Sequence, residues 1–134
     1  MELIRQGAEA VLFIDTWLGK KVVRKRRVVK RYRDAALDTA LRTFRTKKEA
    51  RLITEARKVG IPTPVIYDVD LSRAEMVMEY IPGQLVKDVL NLLEKTKRRE
   101  LCSQIGRYIG MLHSHCLLYT SDAADEGLGV DLGG

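Results

Sequence analysis

Met76-Val77-Met78-Glu79-Tyr80-Ile81-Pro82-Gly83 reads as an alternating strand ended by a Pro-Gly break. Its place in the chain decides the fold. It comes after Lys25 on one alternating strand and Glu49 on the apolar stripe of a helix, and only helical sequence follows it. Strands with a packed helix, then helices alone, make an α+β chain in two subregions.

Upstream, Gln6 to Ile14 reads as a strand interrupted by a tight approach at Gly7-Ala8-Glu9-Ala10, Trp17-Leu18-Gly19-Lys20 as a turn, and Lys21 to Val29 as a strand. Helices are predicted over 34–43 and 46–59. The second stops at Gly60, with Pro62 and Pro64 beyond. Val65, Tyr67 and Val69 alternate with Ile66, Asp68 and Asp70 in another half-buried strand, and Asp70-Leu71-Ser72-Arg73 turns the chain. Downstream, helices are predicted over 85–92 and 98–113, the latter with Leu101, Ile105, Ile109 and Leu112 on one stripe.

Composition narrows the class. A chain of 134 residues with 46% hydrophobic residues can build one core. No run approaches eighteen apolar residues, and Met1-Glu2-Leu3-Ile4-Arg5 lacks the apolar segment of a signal peptide, so a cytoplasmic protein without membrane spans is expected. Cys102 and Cys116 form neither a disulfide framework nor a zinc motif, and no metal site is predicted. His113 and His115 have no carboxylate at suitable helical spacing, and His113 reads as a packing or capping residue. Residues 116–134 hold four acids and no Lys or Arg. The other fourteen acids, set against 24 Lys+Arg, give the first 115 residues a charge of +10. That shift places a boundary near residue 115.

Glu49 carries the sharpest chemical signal. With Leu52, Ile53 and Ala56 it stands at i, i+3, i+4 and i+7 of one helix face. A carboxylate there loses hydration and needs a cation. Lys25 is the expected partner, since Val23, Lys25 and Arg27 share a strand face that Val23 makes apolar. A lysine so held beneath a glycine loop can reach nucleotide phosphates. Taken alone, Glu49 also reads as a solvated residue among Lys47, Lys48 and Arg51, Gly7–Ala10 as an ordinary turn, and Met78–Gly83 as a hairpin exit. Their order is what joins the three.

Lys20, Lys21, Arg24, Lys25, Arg26, Arg27, Lys30, Arg31 and Arg33 form a basic run around Tyr32. It reads either as a solvated face or as a nucleic-acid contact through Arg26, Arg27, Lys30 and Arg31, which would bind phosphates by counterion release.

The segments Gln6-Gly7-Ala8-Glu9-Ala10, Lys30-Arg31-Tyr32-Arg33, Arg45-Thr46-Lys47-Lys48-Glu49-Ala50-Arg51 and Met78-Glu79-Tyr80-Ile81-Pro82-Gly83 resemble the small RIO-like kinase subunit of the KEOPS complex, an atypical Ser/Thr protein kinase family. The resemblance covers residues 1–115. It implies a kinase N-lobe, an antiparallel sheet plus a packed helix, over 1–83 with a nucleotide-binding hinge, and the start of an incomplete C-lobe over 84–115. It further implies ATP held by Gly7, Ala8, Glu9, Ala10, Val23, Lys25, Met78, Glu79 and Ile81, with Lys25 and Glu49 as the catalytic pair. Magnesium, KEOPS partners and tRNA threonylcarbamoyladenosine modification belong to the same implication. A small-molecule phosphotransferase of related fold and a non-catalytic RNA-binding module are the competing readings. After His115 the family's His-Gly-Asp-Leu, Asn and Asp-Phe-Gly do not follow. Cys116-Leu117-Leu118-Tyr119-Thr120-Ser121-Asp122-Ala123-Ala124-Asp125-Glu126 instead resembles translated sequencing adapter, so 116–134 is expected to be a non-native tail and the chain inactive in transfer.

Overall fold

The computed structural model describes residues 2–125 of the chain. Leu18 and Gly19 take φ of 50° and 77°, both left-handed, and close a two-residue hairpin whose twist suits its strands. From it run β2 (Ala10–Trp17) and β3 (Lys20–Arg27), paired without a bulge from Trp17 opposite Lys20 to Ala10 opposite Arg27. β1 (Glu2–Gln6) joins β2, β5 (Glu75–Glu79) joins β3, and β4 (Ile66–Asp70) joins β5. The sheet is antiparallel throughout, in the order β1-β2-β3-β5-β4. Val22, Met76 and Val77, on its two central strands, are at most 2% exposed. The expected α+β fold, a sheet followed by helices in the manner of a kinase N-lobe, is the one observed. The strand at Glu2–Gln6 was not expected, because all five of its residues are exposed and carry no burial pattern.

α1 (Ala35–Lys58) replaces the two helices predicted over 34–43 and 46–59. Nothing between Thr43 and Thr46 breaks it. The Thr46 hydroxyl donates to the Arg42 carbonyl within the helix, at 2.8 Å, instead of capping a new one. Asp34 caps the start, its carboxylate accepting the Leu37 N–H. Gly60, at φ 95°, ends it as expected. Its N–H donates to Arg57 and that of Ile61 to Ala56, the paired bonds of a Schellman closure sealed by buried Ala56 and Ile61.

The chain divides into two compact units. One holds the residues up to Thr54 with Thr63–Tyr80, the other Glu55–Pro62 and the chain from Ile81 onward. In the second, a short helix α2 (Val86–Val89) passes into a 3-10 turn at Leu90–Leu92 and then α3 (Lys95–Asp125). Ile109 is exposed, and half-buried Tyr108 takes its place on the stripe of Leu101, Ile105 and Leu112. From Leu101 the 3.6-residue period reaches position 108 and misses 109. The helix passes the predicted stop at 113, since neither Gly nor Pro occurs between Met111 and Asp125. The rest of the expected tail, 126–134, lies outside the described residues.

Candidate functional site

Residues paired directly across an antiparallel sheet stand on the same face. Lys25 lies opposite Leu12 and Met76, Val23 opposite Met78, and Arg27 opposite Ala10. Ala10, Val23, Lys25 and Met78, all predicted site residues, thus share one face with Arg27.

α1 supplies the carboxylate of that face. Lys25 Nζ donates to Glu49 Oε1 at 2.6 Å, the predicted pair. The other oxygen, Oε2, accepts from Arg27 Nη2 at 2.9 Å. All three side chains are about a fifth exposed, 23% for Lys25 and Glu49 and 15% for Arg27. One carboxylate therefore faces two cations, leaving a positive charge in excess. The Nε of Arg27 is buried with no hydrogen-bond partner among the described residues.

The opposite face is balanced. Arg24 donates to Asp15 at 2.6 Å and to Glu75 at 2.9 Å, and Arg26 reaches Glu75 at 2.6 Å, two cations against two carboxylates. The Arg24 guanidinium holds the Asp15 carboxyl below its ordinary range, and Asp15 in turn raises the Arg24 pKa. Arg24, a member of the basic run, is neutralised within this network.

The Gly7–Ala10 loop joins β1 to β2. Gly7 N–H donates to the Ala10 carbonyl at 2.8 Å and Val28 N–H to the Glu9 carbonyl at 3.1 Å. Lys30 Nζ donates to the Ala8 carbonyl, and Arg45 of α1 holds the Glu9 carboxylate at 2.8 Å. Since Ala10 pairs with Arg27, the loop leaves the sheet beside the cation pair. Of the two predicted hinge residues, Glu79 uses its N–H and its carboxylate on the Val65 backbone, at 2.8 and 3.1 Å. Ile81 belongs to the second unit and is exposed.

The four candidates for nucleic-acid contact are divided between the two faces of β3 and the segment after it. Arg26 and Arg27 point to opposite faces of β3 and are engaged by Glu75 and Glu49, Lys30 is drawn to the loop, and Arg31 is exposed. The role of Arg27 was missed in the sequence, although its shared face with Lys25 was the available signal. Among the described residues no three His, Cys, Asp or Glu gather as metal ligands, and no helix is long and apolar enough to cross a membrane.

The sequence is similar to those of known proteins. The KEOPS complex subunit Bud32 of Pyrococcus abyssi is 39% identical over 119 residues, 84% of this chain and 54% of that protein. A probable bifunctional tRNA threonylcarbamoyladenosine biosynthesis protein of Methanothermobacter thermautotrophicus is 42% identical over 112 residues. This chain is a homologue of Bud32. A protein of the bifunctional kind from Natronomonas pharaonis reaches 44% identity over 110 residues. The chain spans about half the length of the Pyrococcus Bud32 and about a fifth of the bifunctional relatives. No family model matches it.

Proposed function

We propose that the sheet and α1 form the ATP-binding part of an atypical Ser/Thr kinase-like phosphotransferase or ATPase. It would serve tRNA threonylcarbamoyladenosine biosynthesis within a KEOPS-type assembly, as the names of the relatives suggest. One observation carries the reading: two cations of β3 share a single carboxylate of α1 beside a glycine loop. That face has an unmatched positive charge beside the Gly7–Ala10 loop, which suits a polyphosphate.

In this reading Lys25 holds phosphate oxygens, and Glu49 fixes its Nζ. Arg27 keeps Glu49 neutralised when the lysine turns to the phosphates. Val23 and Met78 give the base an apolar wall, and the loop offers the backbone N–H groups of Ala8 and Glu9. Bound ATP supplies the transferable phosphoryl group. For magnesium the described residues offer no ligand cluster, so no step is assigned to it. The sequence after His115 lacks the family's base and metal-binding motifs, so the chain is proposed to bind nucleotide without transferring phosphate.

Calorimetric titration of the purified chain with ATP, against Lys25→Met, tests the reading. Binding should weaken by about tenfold or more on losing the charge, the usual scale of a charge-assisted contact to phosphate. Equal affinity of the two proteins would end it.

A further inference from the structure

Glu9 sits within the phosphate-loop candidate, where a carboxylate would repel the anion the loop is meant to receive. Its carboxylate is turned instead to Arg45 of α1, with Nη1 on Oε2 at 2.8 Å, and towards Arg33, whose Nη2 lies 3.9 Å from Oε1. Arg33 also reaches Asp38 of α1, at 3.5 Å, and its side chain is only 13% exposed. The backbone follows the same course: the Glu9 carbonyl accepts the Val28 N–H, and the Ala8 carbonyl accepts from Lys30. Each residue of the loop between Gly7 and Ala10 is thus tied to α1 or to the segment leading into it.

Arg45 and Glu49 stand four residues apart, one turn, on the same helix. The first holds the loop and the second holds Lys25 and Arg27. We infer that Glu9 and Arg45 are positioning residues that lock the Gly7–Ala10 loop to α1, so that one helical turn sets both the loop and Lys25. The consequence for nucleotide rests on the ATP-binding reading, whereas the lock itself does not. When α1 shifts, loop and lysine shift together, and when Glu9 is released its charge is free to approach the phosphates.

Hydrogen exchange on the full chain tests the lock. Both side chains are more than a third exposed, so neither Glu9→Gln nor Arg45→Met threatens folding. The Gly7 and Val28 amides should exchange about fivefold faster in each variant, the scale of a partly exposed ion pair. The double variant should exchange no faster than either single one, because both remove the same contact. Unchanged exchange, or effects that multiply in the double variant, overturns the lock. ATP and adenosine are then titrated into the same proteins. Arg45→Met should weaken ATP by a similar factor and leave adenosine alone. If Lys25→Met weakens ATP and Arg45→Met does not, the positioning role is refuted while the nucleotide reading stands. If the unmodified chain binds no ATP, that reading falls and the exchange cycle alone decides the lock.

Discussion

Glu75 and Glu49 each bridge two cations placed two residues apart on β3, one carboxylate on either face of the sheet. Glu75 belongs to β5, directly opposite Arg26, and its side chain is 4% exposed. The sheet's own register brings it there, and Asp15 completes the charge balance. Glu49 arrives on a helix, its side chain is 23% exposed, and it leaves its two cations with a charge to spare. A bridge within the sheet is as fixed as the sheet. A bridge from a helix can open when the helix moves, and its surplus charge can be shared with a ligand. The same chemistry therefore suits structure on one face and binding on the other.

That contrast breaks most easily at Glu75. Glu75→Ala leaves Arg26 without its carboxylate and Arg24 with Asp15 alone beside a buried gap, and should cost about 3 kcal/mol in chemical denaturation, with ATP affinity of the folded protein unchanged. Glu49→Ala should cost less, about 2 kcal/mol, because water reaches that pair, but it should weaken ATP along with stability. Were the two variants to alter ATP binding equally, the division of labour between the faces would be wrong. Lys25→Met leaves Glu49 paired with Arg27, so the melting curve should move by no more than about 1 kcal/mol in stability. Adding Arg27→Met should then lower stability by more than the two single losses combined, since only the double variant leaves the carboxylate alone.

A third bridging carboxylate, Asp38 at the start of α1, sharpens the comparison by pH. It is 1% exposed and holds Arg42 at 2.8 Å, Arg33 at 3.5 Å and the Lys30 N–H at 3.1 Å. Burial pushes its carboxyl upward, but the Arg42 contact and the Lys30 N–H outweigh that, and the net shift is downward. A carboxyl whose folded pKa lies below its unfolded value adds stability above the unfolded value, about 4, and loses it as pH falls through the folded one. Thermal melts should therefore drop below about pH 4, and less steeply in Asp38→Asn. An identical acid slope in the variant would remove Asp38 from the account. The smallest effect belongs to the hairpin: Leu18 is 81% exposed at φ 50°, so Leu18→Asn should raise stability by about 0.5–1 kcal/mol in denaturant titration.

Lys25 and Glu49 were legible because a charge on an apolar helix stripe demands a partner, and strand alternation named one. The same alternation placed Arg27 beside Lys25, yet the dense run of cations around it made a solvated face the simpler reading. Glu75 opens its strand with no periodic signal, so its two arginine partners appear only once β3 and β5 are paired. The loop's tie to α1 was hidden for a similar reason: 36 residues separate Glu9 from Arg45, and no local pattern links them. Helix ends were read well where Gly60 and its prolines mark them, and poorly where no breaker stands, as within α1 and beyond His113.

Arg24-Lys25-Arg26-Arg27 presents a cation at every step. If β3 slid by one residue against its neighbours, Glu75 and Glu49 would each still meet a positive side chain, though not the same one. Charge alone cannot tell the true alignment from the shifted one. The Leu18–Gly19 turn can, because a two-residue connection admits one closing pair, Trp17 with Lys20, and every later rung is counted from it. Which residue comes to face Glu49 is thus written in the shortest turn of the sheet, at the far end of the hairpin from the loop it serves.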